Sequence, residues 1–170
     1  MNFKCLTAAV IAGFMMVTTA QASIYNFSQT GFEEGATISG SFEGTDLNSN
    51  GLIQQGELSS FSFSWSGNSL VSAFSQNLTD LTFLSYNPSR SVLGDVNPEI
   101  IASNWFTTTG LAYVSGVGAG SQGGSVLDMT LGTESATTNL VQITPSAVPL
   151  PGAIWLFGSV LLGFIGVKRR

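Results

Sequence analysis

Residues 59–66 read Ser-Ser-Phe-Ser-Phe-Ser-Trp-Ser. The aromatic side chains Phe61, Phe63 and Trp65 recur at every second position, with serines between them. Because successive side chains of a β-strand point to opposite faces, this period of two predicts a half-buried strand and does not fit a helix. The stretch indicates a sheet with one aromatic face toward a core and one hydroxyl face toward water.

Strand-type patterns recur on both sides of this stretch. Ala36, Ile38, Gly40 and Phe42 alternate in the same way, and clusters of Gly, Asn, Asp and Pro separate the candidate strands. Further strands are predicted over residues 81–86, 100–107, 111–117, 126–131 and 140–144. Seven to nine short strands predict one all-β domain over residues 23–144, an antiparallel β-sandwich or jelly-roll-like fold.

A polar segment, residues 46–57, lies just before the serine–aromatic strand. It reads Asp-Leu-Asn-Ser-Asn-Gly-Leu-Ile-Gln-Gln-Gly-Glu, which fits the twelve-residue EF-hand calcium loop. The predicted calcium ligands are Asp46, Asn48, Asn50, the carbonyl of Leu52, and Glu57. Only two of them carry charge, and Asn-Ser-Asn-Gly is also typical of a hairpin turn. A weak calcium site and a plain polar turn are both open at this point.

Charge is distributed unevenly along the chain. Arg90 is the only basic residue among residues 23–152, and all ten acidic residues lie there, so one against ten gives this body a net charge of −9. A body with one cation cannot neutralise a phosphate backbone, which excludes nucleic acid as a partner.

The supply of reactive side chains is also restricted. The chain has no His, its only Cys is Cys5, and the body has no Lys. Zinc sites, disulfides, Cys or Ser–His nucleophiles and Schiff bases are therefore excluded from the body. We expect no catalytic residues and no enzyme; the remaining option for a hydrolase is a carboxylate pair such as Asp95 and Glu99.

The first 22 residues have the layout of a secretory signal peptide, predicted to be helical. Lys4 supplies the positive start, and residues 6–17 form an apolar run that is too short to span a membrane. Ala20 and Ala22 place small residues at positions −3 and −1, which predicts cleavage by signal peptidase before Ser23. An uncleaved anchor or a buried helix is the other interpretation.

The C-terminal end combines a proline motif, an apolar run and a basic terminus. Pro149 and Pro151, within residues 145–152, predict an extended linker. The apolar run that follows predicts a transmembrane helix within residues 153–170, with Trp155 at the outer interface and the basic end in the cytoplasm. The residues of this combined motif are Val148, Pro149, Leu150, Pro151, Trp155, Lys168, Arg169 and Arg170.

These residues together resemble the sorting tail of PEP-CTERM proteins, in its VPLPA-CTERM variant. Leu150 stands where the founding motif has Glu, and Gly152 stands where the variant usually has Ala. The resemblance implies recognition by an exosortase, cleavage near the proline motif, and release to the surface or matrix of a Gram-negative bacterium that makes exopolysaccharide. An ordinary C-terminal membrane anchor is the other interpretation.

The sequence therefore predicts a structural protein that is secreted across the inner membrane, transiently anchored there, and then located at the cell surface or in the extracellular matrix. Its predicted partners are signal peptidase and an exosortase during processing, and extracellular polysaccharide afterwards. The alternative is a carbohydrate-binding or adhesive module with a weak calcium loop. No cofactor is expected apart from that calcium.

Overall fold

The computed structural model describes residues 22–94, 99–103, 110–116 and 123–146. The predicted signal helix up to residue 21 and the predicted transmembrane helix lie outside these ranges. So does every predicted sorting residue from Val148 to Arg170. Within the described ranges, no helix has the length and apolar character needed to cross a membrane.

The described residues form twelve β-strands and two single-turn 3₁₀ helices. The helices are Glu33–Gly35 and Gln55–Glu57. The strands are β1 Ser23–Gln29, β2 Ile38–Gly44, β3 Ile53–Gln54, β4 Leu58–Trp65, β5 Phe74–Asn77, β6 Leu81–Tyr86, β7 Val92–Leu93, β8 Ile100–Ser103, β9 Leu111–Gly116, β10 Gly124–Asp128, β11 Thr133–Thr137 and β12 Val141–Pro145.

The strands make two six-stranded antiparallel sheets. The first sheet has the order β5-β4-β2-β1-β12-β7, and the second has the order β11-β10-β9-β8-β6-β3. Aromatic and aliphatic side chains of both sheets share one core, so the predicted all-β sandwich is confirmed.

The serine–aromatic stretch forms β4 as predicted. Phe61, Phe63 and Trp65 are buried, while the serines between them are exposed. Phe63 stacks on Tyr113 of the second sheet with ring centroids 4.9 Å apart, and the indole N–H of Trp65 donates to the Val71 carbonyl at 3.1 Å. Offset aromatic pairs of this kind add to the stability that burial of the rings provides.

Two details of the predicted strand pattern are wrong. The described residues contain twelve strands instead of the seven to nine expected, because β1, β3, β5, β7 and β11 lie outside the predicted segments, β3 and β7 being only two residues long. The strand predicted over residues 126–131 ends at Asp128, whose Oδ1 accepts the N–H groups of Thr130 and Leu131 at 2.9 Å each. This side-chain cap turns the chain into β11.

Candidate functional sites

The predicted calcium loop connects β2 to β4 at one end of the sandwich. Its backbone is closed by a hydrogen bond from the Thr45 N–H to the Glu57 carbonyl at 3.3 Å. Gly51 has a φ of +82°, and no atom lies within 4 Å of the place where a Cβ would stand. The requirement for glycine at this position is therefore one of backbone conformation, as at the sharp turn of a calcium loop.

Glu57 holds the two arms of this loop together. Its Oε1 accepts the N–H groups of Leu47 at 2.9 Å and Asn48 at 3.2 Å, and its Oε2 accepts the N–H of Gln54 at 3.0 Å. The side chain reaches these donors because the 3₁₀ turn Gln55–Glu57 bends it back over the loop. Glu57 thus ties the last residues of the loop to the first ones.

Asp46 and the two asparagines organise the middle of the loop. Asp46 Oδ2 accepts the N–H of Gly51 at 2.8 Å, and its Oδ1 accepts the N–H of Asn50 at 3.1 Å. Asn48 Oδ1 also accepts the Asn50 N–H, at 3.0 Å, and Asn50 Oδ1 accepts the Leu52 N–H at 2.8 Å. Four of the five predicted ligands therefore direct side-chain oxygens at the backbone of their own loop.

The loop contains carboxylate, amide and carbonyl oxygens, which are the ligand types that hard cations take. An oxygen of Asp46, Asn48 or Asn50 that accepts one N–H keeps a second lone pair, whereas Glu57 Oε1 already accepts two N–H groups. Two carboxylates are few for calcium, whose affinity depends on ligand charge. In the part of the chain that the structure describes, no group of three or more His, Cys, Asp or Glu could hold a metal ion.

The pair Asp95 and Glu99 is not established by the structure, because Asp95 lies outside the described residues. Glu99 is 1% exposed; its Oε1 accepts the N–H of Asn87 at 3.1 Å, and its Oε2 lies 3.7 Å from the Nε of Arg90. Burial, with smaller contributions from the neighbouring Tyr25 and Glu99, raises the pKa of Tyr86 to about 12. The Tyr86 hydroxyl donates to the Arg90 carbonyl. These contacts give Glu99 a structural role in the turn after β6.

The sole cation of the body is engaged in this cluster. Arg90 is one-third exposed and faces the buried carboxylate of Glu99. A pair of this kind is costly to break, because removing one partner leaves the other charge buried. Arg90 is identifiable from the sequence as the lone cation of the body, but its partner is nine residues away, and only the turn between β6 and β8 brings the two together.

The predicted signal-peptidase site lies at the beginning of the first sheet. Ser23 is the first residue of β1 and pairs with Gly44 of β2. Ala22 is described and half-buried, whereas Ala20 lies outside the described residues. At the other end of the body, the Ser146 N–H donates to the Ile24 carbonyl at 2.7 Å.

A shallow polar groove of about 350 Å³ lies at one end of β1 and β12. Its wall is fixed from inside: Asn139 Nδ2 donates to the Thr30 carbonyl at 3.0 Å, and Gln29 Nε2 donates to the Asn139 carbonyl at 2.6 Å. No local sequence pattern indicates this groove, because its two sides are more than 100 residues apart in the chain. It is lined by Ser28, Thr30, Thr138, Asn139, Leu140 and Gln142.

Comparisons of the chain with protein-family models, with curated proteins and with solved structures found no match.

Proposed function

We propose that this chain is a non-enzymatic structural protein of the bacterial cell surface or extracellular matrix, sorted by an exosortase-type C-terminal signal. The N-terminal signal helix, the C-terminal transmembrane helix and the VPLPA-CTERM tail belong to this proposal. Signal peptidase removes residues 1–22, the tail anchors the chain in the inner membrane, and cleavage near Pro149 and Pro151 releases the body into the polysaccharide layer.

One observation supports this order of events above the others. The sandwich begins at Ser23, the residue that follows the predicted signal cleavage, and its last strand-edge hydrogen bond comes from Ser146, two residues before the proline motif. Neither predicted cut lies within a described strand. Processing at these sites leaves each of the twelve described strands whole.

The electrostatics of the body suit a hydrated polymer layer. Ten acidic residues against one basic residue make it strongly anionic, and that basic residue faces Glu99. Such a surface repels polyanions and attracts cations. Neutral polysaccharide and cation-bridged contacts are the associations that this charge allows.

The test is the intact mass and the location of the protein in its native host, with and without the exosortase. We expect a product that starts at Ser23, lacks residues 153–170 and is found outside the cell only when the exosortase is present. A product that retains the residues from Trp155 to Arg170 in the inner membrane of both strains would contradict the proposal and favour an ordinary anchor.

The second candidate is a carbohydrate-binding or adhesive module with calcium in the loop of residues 46–57. The observation that favours it is the convergence of Asp46, Asn48, Asn50 and Glu57 on one loop backbone. Pull-down of the protein on glycans with calcium and with a chelator distinguishes the two candidates. Glycan binding that disappears with the chelator would support the module.

A further inference from the structure

The outer face of the first sheet carries two straight rows of neutral hydroxyl and amide side chains. Residues of neighbouring strands stand directly opposite one another in the hydrogen-bonding register, so each row crosses five strands. The first row consists of Ser75, Ser64, Ser39, Ser28 and Gln142. The second row consists of Asn77, Ser62, Ser41, Asn26 and Thr144.

These ten residues, which we name the hydroxyl–amide face, are uncharged without exception, and nine of them are exposed. Surfaces of soluble domains usually carry charged residues at about 25–35% of positions. With strands about 4.8 Å apart, the face is about 19 Å long across the sheet. Its hydroxyl and amide groups lie on the solvent side of the sheet, and part of their hydrogen-bonding capacity is used within the face, as between Ser41 and Ser62 at 3.0 Å.

The groove continues this face at the β12 side. Ser28 and Gln142 are members of the first row and also line the groove. Leu140, which is half-buried, adds an apolar surface beside the hydroxyl and amide groups. Because Gln29 and Thr30 are both hydrogen-bonded to Asn139, contacts within the protein hold the wall of the groove, and little ordering is needed on binding.

We infer that the groove and the hydroxyl–amide face together bind one chain of a neutral polysaccharide. Sugar rings offer hydroxyl groups at their edges and C–H groups on their faces, which match the amide and hydroxyl side chains and the Leu140 surface. An anionic chain is disfavoured, because the body has a net charge of −9 and its one basic residue, Arg90, faces the buried carboxylate of Glu99. This inference rests on the proposed location in a polysaccharide layer and names the contact surface.

The test is native affinity electrophoresis of the full chain in a zwitterionic detergent, which carries no sugar that could compete. The gels contain hydroxyethylcellulose as the neutral polymer or alginate as the anionic one. We expect retardation by hydroxyethylcellulose and none by alginate. Absence of retardation in the neutral gel, or equal retardation in both, would overturn the inference.

Two lysine substitutions locate the contact. Ser28→Lys places a long charged side chain where the groove meets the first row. We expect it to raise the apparent dissociation constant for hydroxyethylcellulose, obtained from the retardation, at least tenfold. Ala136→Lys, at an exposed position of β11 in the other sheet, is the matched control and should leave retardation unchanged. Equal behaviour of the two variants would overturn the assignment of the site.

This result is independent of the export measurement. A body found outside the host cell that is not retarded in the neutral gel would leave the proposed function standing and remove the inference. A chain that is retarded in the gel but stays in the inner membrane of the host would support the binding surface and contradict the proposed function.

Discussion

The Tyr113 hydroxyl donates a hydrogen bond of 2.7 Å to Oε1 of Gln29, which joins the second sheet to the first. Both side chains are buried, and Gln29 Nε2 donates in turn to the Asn139 carbonyl of the groove. Buried polar groups need such partners, because an unsatisfied donor or acceptor loses its water without compensation. The same amide thus supports both the core and the groove.

Tyr113→Phe removes this bond without changing the size of the ring. We expect a loss of about 1–3 kcal/mol in the free energy of unfolding, because Gln29 Oε1 loses its hydroxyl donor in the core. Urea unfolding measures this change in the free energy of unfolding. Tyr25→Phe, in the same core, is the control and should cost less; an equal loss in both variants would contradict the role of the bond.

Gly40→Ala tests the packing of the first sheet. An added Cβ would overlap the Phe27 ring and the Ser62 carbonyl, so we expect a loss of at least about 1–3 kcal/mol. Gly56→Ala is the matched control, because no atom lies within 4 Å of its Cβ position and its φ is unremarkable. Comparable urea midpoints for the two variants would show that the sheet relaxes around Gly40.

Stability is expected to fall on the alkaline side. An unfolded tyrosine ionises near pH 10, whereas burial raises the pKa of Tyr86 to about 12 and raises that of Tyr113 as well. The folded state therefore keeps protons that the unfolded state releases, so this stabilisation is complete below pH 10 and is lost as pH rises from 10 towards 12. Urea midpoints across this range should decline in the wild type and decline less steeply in Tyr86→Phe. Parallel slopes would contradict this account.

Glu57 is expected to stabilise the loop whether or not calcium binds. Glu57→Ala should lower the free energy of unfolding by about 1–3 kcal/mol, since three backbone N–H groups lose their charged acceptor. Thermal unfolding measures the change. An unaltered melting temperature would mean that water replaces the carboxylate fully.

Calcium binding is tested by substitution of Asp46, the other acidic residue of the loop. If the loop binds it, millimolar calcium should raise the melting temperature of the wild type by mass action and leave that of Asp46→Asn unchanged. Asp80→Asn is the control, because Asp80 Oδ2 caps the Asn77 N–H in a different turn, at 3.0 Å. A wild type that does not respond to calcium would leave the polar turn as the interpretation of this segment.

Local sequence was sufficient where one strand carries its own pattern. The alternation of Phe61, Phe63 and Trp65 with serines predicts which face of β4 is buried, since the period of two is a property of the strand alone. The segment before it also predicts a polar, glycine-containing turn from its composition. By contrast, β11 reads Thr-Glu-Ser-Ala-Thr and has no apolar alternation; its buried Ser135 is satisfied by Asn68 Nδ2 at 2.8 Å, from a distant loop.

By itself, the sequence determined the all-β class, the anionic body, the absence of His, Lys and Cys from that body, and the two terminal motifs on which the sorting proposal rests. Only the tertiary structure decided which hydroxyl and amide side chains share a row, because row membership depends on the register between strands that are distant in the chain. It likewise joined Arg90 to Glu99, and Thr30 to Asn139. Composition and periodicity describe one segment at a time, whereas these contacts exist only when segments are paired.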